Sequence, residues 1–170
     1  MTAIRESHDS TDNALSAEPI DRIDANEPTD PIENAEPMAA ALSVAETGHL
    51  VFASMHTNNA EQTIDRLIDA FAEKDQPLIR SRLAATLIGV IYQRLLTNTK
   101  GSRIAAFEVL AANSAVRNLI REGKTFQIPN TMVTGSSYGM QTMANALSDL
   151  VESGLVSAPE IERFILSNPL

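Results

Sequence analysis

The first 37 residues constrain this chain most, because they cannot build a core. They hold ten Asp/Glu against two Arg, are punctuated by Pro19, Pro28, Pro31 and Pro37, and carry few apolar side chains. Ordering a backbone costs roughly 1–2 kcal/mol per residue, and such a segment buries too little surface to offset it. Residues 1–37 therefore read as a disordered acidic leader, either a solvated tail or an acidic docking arm. The fold has to come from residues 38–170. Those hold twelve acidic against eleven basic side chains, so nearly all of the net charge of −9 sits in the leader. The remainder is long enough for one domain with a real core.

Several function classes fall away on composition. With no cysteine, neither a disulfide framework nor a thiolate metal site can form. No basic stripe of the nucleic-acid-binding kind is present. No apolar run approaches the roughly 20 residues of a spanning helix, and the N-terminus lacks a charged-then-apolar signal pattern. A cytoplasmic protein is the expectation. Gly135-Ser136-Ser137-Tyr138-Gly139 fails the spacing of a nucleophile elbow and reads as a loop.

The expected elements alternate in type. Met38–Glu46 reads as a short helix broken by Thr47-Gly48. His49–His56, with the continuous apolar run Leu50-Val51-Phe52, suits a strand buried on both faces. Thr57-Asn58-Asn59 supplies caps for a helix over Ala60–Phe71, whose Ile64, Leu67, Ile68 and Phe71 share a face. A longer helix is expected over Pro77–Leu96, on the spacing of Ile79, Leu83, Leu87, Ile91 and Leu95. Arg103–Leu110 reads as a strand. Ser114 is the expected cap of a helix over Ala115–Glu122, stopped by Gly123. Helices over Met140–Glu152, ended by Gly154, and from Pro159 to Leu166 complete the reading.

Two histidines bracket the first expected strand. His49 and His56 are seven apart, an odd spacing that places them on opposite faces of a strand, so they do not share a metal; no metal site is expected. Each is either a satisfied structural histidine or an imidazole able to sense a phosphate or orient water. A phosphate loop requires Gly-x-x-x-x-Gly-Lys-Ser/Thr, because bare amides wrap the phosphates and a lysine neutralises them. Glycines stand at 48, 89, 101, 123, 135, 139 and 154, and none opens that pattern. Gly123-Lys124-Thr125 has the final triplet, but Asn118 holds the place of the first glycine.

Several stretches in register resemble one family. Ala45-Glu46-Thr47-Gly48-His49-Leu50-Val51-Phe52 with Met55-His56-Thr57, Ile64–Asp69, Gln93-Arg94-Leu95, Arg103–Val109, Ala115–Glu122 and Gly139–Met143 resemble the C-terminal part of the hexameric secretion/pilus ATPases. Ala115–Glu122 resembles the signature of the branch that drives type IV pilus retraction, or twitching motility, with Val116 in place of isoleucine. The resemblance implies an α/β, mainly helical fold: the C-terminal part of a RecA-like core, with an incomplete sheet and a helical C-terminal bundle. It implies ATP and Mg2+ as the family's cofactors. Near the nucleotide it places His49 and His56 as a histidine box, with Thr47 and Gly48 beside them. Arg117, Asn118, Leu119, Ile120, Arg121 and Glu122 are implied to form a surface for pilus retraction. The implied partners are pilus ATPase subunits and the pilus platform at the inner membrane, and nucleic acid is not among them.

The departures from the family pattern carry as much weight. The PAS-like N-terminal domain, the phosphate loop and both acidic motifs are missing from this sequence. Phe107 stands where retraction ATPases usually carry a histidine, and Ala144-Asn145 where an acidic residue is common. Without the phosphate lysine and the magnesium carboxylates, transition-state charge has no stabiliser. The expectation is a truncated retraction ATPase that does not hydrolyse ATP alone. The alternatives are a non-enzymatic module that joins or modulates a full-length hexamer, and a decayed gene product.

Overall fold

The computed structural model describes residues 34–167, so the acidic leader lies outside the described residues except for its last few positions. Those residues open the first helix. The order is α1 (Ala35–Glu46), α2 (Ala60–Asp69), α3 (Gln76–Thr86), β1 (Gly89–Thr97), β2 (Arg103–Ala111), α4 (Ser114–Glu122), α5 (Ile128–Thr134), α6 (Met143–Glu152) and α7 (Ala158–Ser167). Short 3-10 turns flank α5 at Thr125–Gln127 and Ser136–Tyr138. The expectation of a mainly helical fold with an incomplete sheet holds: among the described residues the sheet has two strands, paired antiparallel from Gly89↔Ala111 to Thr97↔Arg103.

Polar caps set the helix boundaries. The Asn59 side chain accepts from the Gln62 amide at 2.7 Å and starts α2. Asn113, rather than the expected Ser114, starts α4 by accepting from Val116 N at 3.0 Å. Gly123, at φ 67°, ends α4 as expected, in the left-handed region where a Cβ would be strained. The helix expected from Met140 begins only at Met143, because Gln141 exchanges two backbone bonds with Val109 and Thr142 caps the helix through Asn145 N.

Two further expectations are corrected. The helix over Pro77–Leu96 ends at Thr86, and Gly89–Thr97 is β1. Ile91 and Leu95 continued the apparent helical face, yet both point outward, 71% and 49% exposed. The alternation that decides the segment is Val90, Tyr92, Arg94 and Leu96, which face inward. Residues 49–56 form no strand, because among the described residues no neighbouring strand completes a ladder with them.

The hairpin spans two apolar clusters. Ile64, Ile68, Ile79, Leu83, Leu110, Val116, Ile120 and Ile128 meet in the first, with Val90 packed against it. Tyr92, Leu96, Ala106, Met143, Leu147 and Val156 form the second. Burying each such aliphatic side chain contributes about 1.5–3 kcal/mol. Glu108, on the inward side of β2, joins the two regions. One carboxylate oxygen accepts from Ala60 N at 2.8 Å and the other from Met143 N at 3.3 Å, so it meets the first residues of both α2 and α6.

Candidate functional site

The segment between α1 and α2 is built by its two ends. After α1 the chain turns through Gly48, at φ 91°. Thr47 Oγ1 donates to Val44 O at 2.7 Å and lies 2.8 Å from His49 Nδ1. With the hydroxyl proton committed to Val44, Nδ1–H is the donor in that second contact. At the far end, Arg66 donates to the His56 carbonyl at 2.7 Å. Thr57 and Thr63 hydroxyls meet at 2.7 Å, and Thr63 donates to Asn59 O. Between these anchors, Leu50, Val51, Phe52, Ala53 and Met55 make no backbone-to-backbone hydrogen bond among the described residues. Leu50 is 51% and Phe52 85% exposed.

Gly48, His49 and His56 line one open cleft of ≈1730 Å³. Its second wall is Ile88 and the start of β1, including Ile91 and Gln93, and Met38 and Leu42 of α1 also border it. Both histidines are solvent-exposed. The charged side chains of the lining are Glu46, Asp65, Asp69 and Arg66, and Arg66 is engaged with the His56 carbonyl. A cleft with that balance and no lysine does not fit a nucleotide triphosphate with its magnesium. No cluster of three His, Asp or Glu suited to a metal exists among the described residues. Glu61, outside this lining, has its carboxyl raised above the usual carboxylate value by burial, then by Asp65 and Glu108.

The expected retraction surface lies on α4, away from this cleft, and its six residues divide in three ways. Ile120 is fully buried and Leu119 packs against the same core. Arg117 turns inward, where its guanidinium donates to Ala84 O at 2.6 Å and Ala85 O at 2.9 Å and closes the C-terminal end of α3. Asn118, Arg121 and Glu122 are exposed. Arg121 donates to Asn118 Oδ1, Asn118 donates to Glu122 Oε1, and Lys124 pairs with Glu122 at 2.8 Å. That lysine holds the Glu122 carboxyl below its usual pKa.

Sequence reasoning passed over Glu46, Arg82 and Glu108. Arg82 grips Glu46 with two bonds, at 2.7 and 2.8 Å, and also reaches Ser43. This ties the end of α1, where the histidine segment begins, to α3. The signal for Glu108 was a carboxylate at an inward position of an otherwise apolar strand.

Comparison with known proteins places this geometry. The family model described as "Type II/IV secretion system protein" matches residues 31–163. A twitching motility protein of Neisseria gonorrhoeae is 46% identical over 155 residues, 89% of this chain and 40% of its own length. The type IV pilus retraction ATPase PilT of Pseudomonas aeruginosa is 44% identical over 126 residues, 74% of this chain and 37% of its length. A crystal structure of the pilus retraction motor PilT with bound ADP superposes with a TM-score of 0.70 at 40% identity, covering 78% of this chain and 37% of the other. The chain thus spans about two fifths of the length of these relatives. No helix among the described residues is long and apolar enough to cross a membrane. With a family model matched along most of its length, the chain belongs to the type II/IV secretion system proteins.

Proposed function

We propose that these residues act in type IV pilus retraction as the C-terminal part of a retraction ATPase, joining ATPase subunits without hydrolysing ATP alone. One observation carries the reading. Identity of 44–46% to proteins named for twitching motility and pilus retraction falls on a piece whose cleft offers phosphates no lysine and no glycine-rich loop. In this reading His49 and His56, with Thr47 and Gly48, act as a histidine box only beside a subunit that supplies the phosphate loop. ATP and Mg2+ then belong to the assembled particle. The exposed Asn118, Arg121 and Glu122 form the retraction surface, while Arg117, Leu119 and Ile120 hold it in place. The protein is proposed to work in the cytoplasm, at the pilus platform of the inner membrane.

The test is phosphate release with Mg-ATP, for the chain alone and mixed with the gonococcal twitching motility protein. The expected result is no release dependent on this chain alone, and co-purification with altered turnover in the mixture. Hydrolysis that tracks this chain through purification would overturn the non-enzymatic part. Unchanged turnover without co-purification would overturn the partnership.

A further inference from the structure

Glu108 stands in the inward row of β2 between Ala106 and Leu110, both buried. Its two oxygens go to different helices, Oε1 accepting from Ala60 N at 2.8 Å and Oε2 from Met143 N at 3.3 Å. Both amides are the first of their helices, groups that no bond within a helix satisfies. The side-chain caps leave them over as well: Asn59 accepts from Gln62 N and Thr142 from Asn145 N, each further into its helix. A carboxylate set between two helix starts lies where both macrodipoles are positive, which accounts for such a group in an apolar row.

The two helices so joined are packed in different places. Ala60, Ile64 and Ile68 of α2 lie in the first apolar cluster, and Met143, Ala146 and Leu147 of α6 in the second. Packing holds each helix to its own cluster, and the shared carboxylate ties one start to the other. α2 in turn carries the end of the histidine segment. Arg66 donates to His56 O at 2.7 Å, and Thr63 Oγ1 lies 2.7 Å from Thr57 Oγ1 and donates to Asn59 O. His56–Asn59 therefore moves with α2 as one piece. We infer that Glu108 is a positioning residue that couples the start of α6 to His56. A displacement of the C-terminal helices passes through the carboxylate to α2, and so to a histidine that lines the cleft. Use of this coupling in a pilus motor rests on the proposed function; the coupling itself belongs to the chain alone.

Thr142→Ala removes the cap of α6 at a residue on neither α2 nor the histidine segment. In the isotope-labelled full chain, NMR is expected to show that this change shifts the His56 ring resonances and the Thr57–Ala60 amides. Glu108→Gln replaces one accepting oxygen by an NH2 group that cannot accept. In that background Thr142→Ala is expected to lose most of its effect on His56, a non-additivity that reports coupling through the carboxylate. Amide exchange gives a second reading that leaves Glu108 in place. Thr142→Ala is expected to speed exchange at Ala60 as well as at Met143, each by at least about threefold. This reading decides the matter if Glu108→Gln does not fold. Equal shifts of His56 in both backgrounds, no shift in either, or faster exchange at Met143 alone overturns the inference. No ATPase subunit enters these measurements, so their failure leaves the proposed partnership standing, and a failed partnership leaves the coupling standing.

Discussion

At the scale of single residues, the charged side chains that matter most to the fold are tied to backbone ends. Arg117 serves two carbonyls at the end of α3, and hydrogen bonds to charged groups contribute about 1.5–3 kcal/mol each when partly buried. Arg117→Ala is expected to lower unfolding stability by about 1–3 kcal/mol in urea titrations. A variant with wild-type stability would show that water replaces the guanidinium without cost. A motility defect at Arg117 therefore has to be corrected for folding before it is ascribed to a surface. Two glutamates have opposite pH signatures. Glu46 has its pKa lowered by the hydrogen bond from Arg82. Its contribution is full above the unfolded value and disappears as pH falls through the lowered one. Glu61 has its pKa raised by burial, so its ionised form is penalised, and that penalty is relieved as pH falls through the raised value. Glu46→Gln should destabilise near neutral pH and converge on wild type in acid. Glu61→Gln should stabilise near neutral pH and converge likewise. Urea midpoints across that range check both, and a deficit in Glu46→Gln that grew on acidification would contradict the assignment.

At the scale of elements, the close approach around Gly135 is the sharpest test of the packing. A Cβ at Gly135 would collide with Met140 Sδ and sit 3.0 Å from the Thr131 carbonyl oxygen. Gly135→Ala is expected to cost about 1–3 kcal/mol through overpacking, whereas Gly154, with open space around it, is limited by its positive φ alone. Thermal melts of Gly135→Ala should show the loss. α2 and α4 were legible because their signals were local, Asn59 and Gly123 at helix ends; β2 was read as a strand, but its inward row of Ile104, Ala106, Glu108 and Leu110 was not. β1 was hidden because Leu87, Ile91 and Leu95 repeat every four residues and imitate a helix face, while the true inward row contains Arg94. That arginine belongs inside because its guanidinium lies 5.2 Å from the Tyr92 ring centre and 5.6 Å from that of Phe164, an arrangement between α7 and β1 invisible to a local window. The candidate site was legible only in part. The histidines could be picked out, but no local signal says whether they face a phosphate. The α4 hexad was read as one surface when tertiary packing divides it.

At the scale of the whole molecule, the two apolar clusters meet through the hairpin and through Glu108. Leu147 lies in the second cluster, 3% exposed, and Leu147→Ala is expected to cost about 2–5 kcal/mol. Amide exchange should then accelerate in α6 and α7 while α3 and α4 keep their protection; an equal loss throughout would mean that the clusters open as one. Their connection also has a mechanical meaning. Nine residue pairs run without a bulge from Gly89↔Ala111 to Thr97↔Arg103, and a one-residue slip would turn Tyr92 and Leu96 out to water and bring Ile91 and Leu95 in. Sliding is thus barred by side-chain parity. A load applied between the α3–α4 end and the α6–α7 end has to be borne as bending or torsion of the hairpin, which makes it a leaf spring between the two halves.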